Sequence, residues 1–160
     1  MNKKLIVMDT LLLLTRPVKE FMTTDLITVN KDSTLTEVKN IFESNLIHHI
    51  PVTGEKGKLE GIISKSDFLL LLDWGTKLGL PSSNVKNQHL FRSNVASDIM
   101  QANLVSVREN DKLEKCVDIL KENYFRAIPV VDENKKLLGI ITIYDLMVIA
   151  FNKDSKTLKH

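Results

Sequence analysis

Short apolar runs alternate with polar turns along this chain, and the whole pattern occurs twice. Gly61-Ile62-Ile63-Ser64-Lys65-Ser66-Asp67 lies over Gly139-Ile140-Ile141-Thr142-Ile143-Tyr144-Asp145, and the same offset runs back without a gap to Met22 and Met100. It sets Leu26 on Leu104, Val29 on Val107, Leu35 on Leu113, and Ile50-Pro51-Val52 on Ile128-Pro129-Val130. Chance similarity between apolar runs does not hold register across helix, strand and turn.

Each copy reads as β-α-β-β-α. A brief strand at 26–29 or 104–107 leads to a helix N-cap position held by Ser33 or Asp111, with Glu114 completing a capping box in the second copy. Leu113, Cys116, Val117 and Leu120 then recur at helical spacing. Cys116 overlays Val38, which makes it a core residue and not a nucleophile. The runs 49–53 and 127–131 read as strands whose prolines cannot donate to a ladder, so each is expected at an edge or a strand start. Turns at 54–57 and 132–135 join them to second hairpin arms, and an apolar helix starts near Asp67 and Asp145.

These elements predict an α/β (α+β) chain in five parts: an amphipathic N-terminal helix over 1–17, a first repeat over 18–72, a linker over 73–95, a second repeat over 96–150 and a polar tail over 151–160. The linker is expected to carry a short helix around Trp74 to Leu80. One repeat alone has little interior, so the two are expected to pack face to face about a pseudo-twofold axis.

Composition adds limits more than identity. The 160 residues are 43% hydrophobic and 26% charged, ordinary for a globular chain. Its 22 basic and 20 acidic residues leave a net charge of +2 with no dense Lys/Arg cluster, so no nucleic-acid partner is expected. The segment Met1 to Leu14 superficially resembles a leader, but Asp9 interrupts it and Arg16-Pro17 stands where a small-residue cleavage site belongs. No run reaches the roughly 18 apolar residues that span a bilayer, so membrane insertion is not expected. The lone Cys116 fits a reducing compartment, and the expected location is cytoplasmic.

Candidate chemistry gathers where the second hairpin arm turns into a helix. A helix starting after Ser64 or Thr142 points free N–H groups and the positive end of its dipole outward, which suits phosphate. Asp67 or Asp145, ionised, only accepts hydrogen bonds and so matches a vicinal diol. The same Ser-x-x-Asp and Thr-x-x-Asp spacing also makes a capping box, and both readings stay open. His48 overlays Arg126, a position that offers a cation to phosphate, with Lys65 as a third candidate; a solvated edge-strand side chain is the alternative. His48 and His49, adjacent in a strand, face opposite sides and cannot share a metal ion, and neither Cys116 nor His89 is spaced to help, so no metal is expected. No Walker-type loop, His-Glu-x-x-His, Gly-x-Ser-x-Gly or paired Cys occurs, so no catalytic residue and no enzyme activity are expected.

The doubled unit, its Ile-Pro-Val strand and its Gly-Ile-Ile-(Ser/Thr)-x-x-Asp junction together resemble the cystathionine-β-synthase (CBS) domain pair, or Bateman module, over residues 18–150. The resemblance implies a regulatory sensor that binds AMP, ADP, ATP or S-adenosylmethionine in clefts between the repeats. It implies no required cofactor, a homodimer, and signalling to a separate effector protein through conformation or oligomeric state. It further implies ribose contacts from Asp67 and Asp145 and ribose or phosphate contacts from Ser64 and Thr142. Residues just before each Ile-Pro-Val, namely His48, His49 and Arg126, would line the base or phosphate end. Thr24, Ile27 and Val105 complete the implied ligand-binding set. Thr24 overlays Ala102, and Ile143-Tyr144 replaces Lys65-Ser66, so the two sites are expected to differ in polarity. The competing expectation is a ligand-free dimerisation scaffold for a separate effector.

Overall fold

A computed structural model describes residues 11–72, 81–122 and 124–151. It is a mixed α+β structure containing both repeats, and it divides into two compact units: Ile27–Leu104, and Met1–Leu26 together with Val105–His160.

In the Ile27–Leu104 unit the elements are α1 (Leu35–Ser44), β1 (His49–Thr53), β2 (Leu59–Ser64), α2 (Lys65–Leu70) and α3 (Pro81–Ser93). Leu35, Val38 and Phe42 recur at helical spacing, and α1 buries that face. β1 and β2 form an antiparallel hairpin with Ile50 opposite Ile63 and Val52 opposite Gly61. Lys56 and Gly57 turn the chain at positive φ, 57° and 76°. The core joins Val29, Leu35, Val38, Phe42, Ile50, Val52, Ile63, Phe68, Phe91 and Ala96. Phe68 stacks on Phe91 at 5.4 Å and tilts against Phe42 at 5.7 Å, so α3, from the stretch that reads as linker, furnishes part of this core. The helix expected around Trp74 to Leu80 lies outside the described residues.

The other unit holds β3 (Val107–Arg108), α4 (Leu113–Lys121), β4 (Ala127–Val131), β5 (Leu137–Thr142) and α5 (Ile143–Phe151). Its sheet runs β3-β4-β5, with β3 parallel and β5 antiparallel to the central β4. Val18, Phe21, Val107, Leu113, Cys116, Leu120, Ile128, Val130, Ile141 and Ile149 form its core. Residues 11–14 are helical, and Leu13 packs against that core; residues 1–10 of the expected N-terminal helix lie outside the described residues.

Sequence repeats and compact units do not coincide. Ala96 N–H donates to Ser33 O at 2.8 Å, Ser97 N–H to Lys31 O at 2.9 Å, and Gln101 and Ile62 exchange bonds of 2.9 and 3.1 Å. At the equivalent positions Val18 N–H donates to Asp111 O at 2.9 Å, Lys19 N–H to Glu109 O at 3.0 Å, and Thr23 and Ile140 exchange bonds of 2.9 and 3.0 Å. The opening residues of each repeat are thus stitched to the body of the other.

That exchange moves the expected helix caps. The cap of α1 is Thr34, not Ser33: Glu37 N–H donates to Thr34 Oγ1 at 3.3 Å, and Thr34 N–H donates to Glu37 Oε2 at 2.8 Å. The cap position of α4 is Lys112, with no side-chain bond, and the expected box between Asp111 and Glu114 does not form. Ser33 and Asp111 each give their carbonyl to the exchanged segment, which holds them one position outside the helix. The Asp111 carboxylate instead accepts from Arg108 N–H at 2.8 Å and Lys115 Nζ at 2.7 Å.

Pro51 lies in an edge strand, as expected, and Pro129 does not. β4 is central, and Pro129 lies in its middle, opposite Ile140. In the first unit Val29 N–H donates to Pro51 O at 3.2 Å and Thr53 N–H to Val29 O at 2.8 Å, so the missing Pro51 donor falls on that same parallel side. Extending the ladder back to Ile27 would require the N–H that Pro51 lacks. Of the expected strand 26–29, therefore, only an isolated bridge at Val29 forms. Pro129 has the same register, and β3 covers only Val107–Arg108 where 104–107 was expected.

Candidate functional site

Antiparallel pairing builds each junction. His49 lies opposite Ser64 and Ala127 opposite Thr142, so the residue before the first arm meets the first residue of the helix after the second. Lys65 N–H donates to His48 O at 2.8 Å, and Ile143 N–H to Arg126 O at 3.3 Å. The exposed side chains of His48 and Arg126 therefore spring from backbone bonded to the helix starts.

At the first junction Ser64 Oγ donates to Asp67 Oδ2 at 2.6 Å and accepts from Asp67 N–H at 3.1 Å, with Ser66 Oγ 2.9 Å away. At the second, Asp145 Oδ2 accepts from Thr142 N–H and Thr142 Oγ1, each at 2.7 Å, while Asp145 N–H donates to Thr142 Oγ1 at 3.3 Å. Both are therefore capping arrangements, which leaves each carboxylate oriented by its hydroxyl neighbour. Their settings differ: Asp67 is exposed, and Asp145 is 4% exposed. The helices differ as well, since α2 has six residues and α5 nine, so the helix dipole counts for more at the second.

Ser64, Asp67, His48, His49, Lys65 and Ile27 all belong to the Ile27–Leu104 unit, and Thr142, Asp145, Arg126 and Val105 to the other. Thr24, which the repeat pattern groups with Asp67, lies in the unit that holds Asp145. Lys65 Nζ donates to Phe42 O at 3.0 Å and stands 6.0 Å from the Phe42 ring, so its ammonium serves the C-terminal turn of α1. Sequence reasoning missed the methionines at the junction strands: Met100 lies over Gly61 and Met22 over Gly139. The paired Met and Gly positions in both copies were the available signal, but their crossed pairing follows only from the exchange.

Among the described residues no group of three or more His, Cys, Asp or Glu could hold a metal ion, and no helix is long and apolar enough to cross a membrane. Burial pushes the Cys116 thiol up to about 12, with the Asp111 charge adding to it, so the thiol stays protonated.

Two repeats of a mixed α+β unit, each ending in a hydroxyl and a carboxylate at a strand-to-helix turn, define a tandem-repeat module. The chain belongs to the CBS domain family, which it matches twice, over residues 18–73 and 96–151. It is 30% identical over 130 residues to the CBS domain-containing protein DDB_G0289609 of Dictyostelium discoideum, covering 81% of this chain and 88% of that one. It is 33% identical over 132 residues to protein MJ1225 of Methanocaldococcus jannaschii, covering 81% of this chain but spanning only 45% of that protein. In structure it resembles CBSX2 of Arabidopsis thaliana, solved in complex with AMP, with a TM-score of 0.68 and 28% identity over 84% of this chain and 96% of that one.

Proposed function

We propose that this protein is a regulatory module that binds an adenosine-bearing ligand, AMP, ADP, ATP or S-adenosylmethionine, at its two junctions and performs no catalysis on it. The observation that carries the reading is the doubled junction within a CBS pair, each copy orienting one carboxylate beside one hydroxyl. Asp67 and Asp145 would accept from the ribose hydroxyls, Ser64 and Thr142 would contact ribose or phosphate, and His48 and Arg126 would face phosphate. His49, Ile27, Val105 and Thr24 would line the rest of the two sites. A similar protein, CBSX2, is crystallised with AMP, which supports the ligand class. Signalling then follows from any difference in ligand affinity between two conformations or oligomeric states. A thermal-shift series with the four ligands tests this: a rise in melting temperature with at least one supports it, and no rise with any contradicts it.

A second reading is favoured by α5. Ile143, Met147 and Phe151 recur four residues apart along it and are all exposed, Phe151 by 83%. We infer that this stripe pairs with a second copy, giving a homodimer that would serve as an interaction scaffold even without ligand. Met147→Asp should then shift the sedimenting species toward monomer; an unchanged mass contradicts the dimer surface.

A further inference from the structure

Each junction is reached along a strand whose glycine lies under a methionine from the other repeat. A Cβ built on Gly61 would stand 2.5 Å from Met100 Sδ and 2.8 Å from its Cγ. On Gly139 it would stand 2.6 Å from Met22 Sδ and 2.8 Å from its Cγ. Close approach, not a left-handed backbone, therefore requires glycine at both positions.

The residue after each methionine continues the contact as a rail. Gln101 and Ile62 exchange two backbone bonds, as do Thr23 and Ile140. Without that rail β2 would be the outer arm of a two-stranded hairpin, which is marginal alone. Ser64 ends β2 and Asp67 lies in the next turn, so a shift of the strand at Gly61 displaces both ligand-facing groups together. Thr142 and Asp145 stand in the same relation to Gly139 along β5.

We propose that Met100 is a positioning residue for the Ser64 and Asp67 junction, and Met22 for the Thr142 and Asp145 junction, so that each ligand site depends on a methionine carried by the opposite repeat. The proposal rests on the reading that these junctions bind adenine nucleotide. Its assignment is the reverse of the one the repeat alone suggests, which groups Met22 with Asp67. It also gives the exchanged segments a role beyond core filling: a displacement of residues 96–104 is felt at the first repeat's site, and one of 18–26 at the second's.

The test uses the full-length protein and AMP, with Asp145→Asn or Asp67→Asn present to weaken one junction at a time. Where the first junction remains, in Asp145→Asn, Met100→Ala should weaken binding by roughly tenfold and Met22→Ala should not. In Asp67→Asn the order should reverse. Gly61→Ala, whose new methyl would press on Met100, should also weaken the first junction and leave the second unchanged. A general loss of stability would not be confined to one junction. Amide exchange provides a second readout: Met100→Ala should speed Ile62 and leave Ile140, and Met22→Ala the converse. Equal effects at both junctions, or effects that follow the sequence repeat, would overturn the proposal while leaving nucleotide binding intact. A parent protein that binds none of AMP, ADP, ATP and S-adenosylmethionine would overturn both the functional reading and the positioning role.

Discussion

Asp145 Oδ2 accepts two bonds of 2.7 Å from Thr142, one from its N–H and one from its hydroxyl, whereas Asp67 Oδ2 accepts one from Ser64 Oγ. With Asp145 buried and Asp67 exposed, the same motif does more structural work in the second copy. Asp145→Ala should cost about 2 kcal/mol, the scale of a charged hydrogen bond lost from a buried group, and Asp67→Ala should cost under about 1 kcal/mol. Urea unfolding of the two variants measures the difference; equal losses would contradict it.

The helix caps are unequal in the opposite sense. Thr34 closes a reciprocal box on α1, and Lys112 makes no side-chain cap on α4. Thr34→Ala should destabilise by about 1 kcal/mol, and Lys112→Thr should stabilise by up to about 1 kcal/mol. Opposite shifts in melting temperature are the expected result.

Both junctions, the two hairpins and the repeat itself were legible in the sequence, because register and turn chemistry are local. The caps were not: Ser33 and Asp111 have suitable side chains, but their carbonyls are taken by Ala96 and Val18 from far along the chain. The expectation of an edge or strand start fails for Pro129 because its missing donor falls on the β3 side, and β3 begins only at Val107, past the residue that would need it. Of the candidate site, Ser64 with Asp67 and Thr142 with Asp145 follow from spacing alone. The crossed placement of Thr24 and of Met22 and Met100 follows from pairing across long separations, which periodicity does not encode.

Cys116 is fully buried and overlays Val38, so Cys116→Val should change stability by less than about 1.5 kcal/mol. Its raised value means that the unfolded chain ionises the thiol first. The core contribution is then fully present below the ordinary thiol range and declines as pH rises from there toward about 12. A thiol reagent at neutral pH should label the unfolded protein quickly and the native protein only as fast as it opens.

Asp111 titrates in the other direction. Burial alone would raise it, but the Lys115 ammonium, the Arg108 N–H bond and the nearby positive charges together hold it below the usual carboxylate value. Its contribution is present above the unfolded value and is lost as pH falls through the lower folded one. Asp111→Asn should therefore lower stability at neutral pH and flatten the decline of stability below about pH 4, read from melting temperatures across that range.

Binding of an adenosine-bearing ligand through the two carboxylates is read out by calorimetric titration of AMP, ADP, ATP and S-adenosylmethionine into the protein. The expected result is saturable binding of at least one of them by the parent and its loss in Asp67→Asn/Asp145→Asn, with the variant still folded. Saturable binding that the double variant retains unchanged, or no binding by the parent at all, would contradict it.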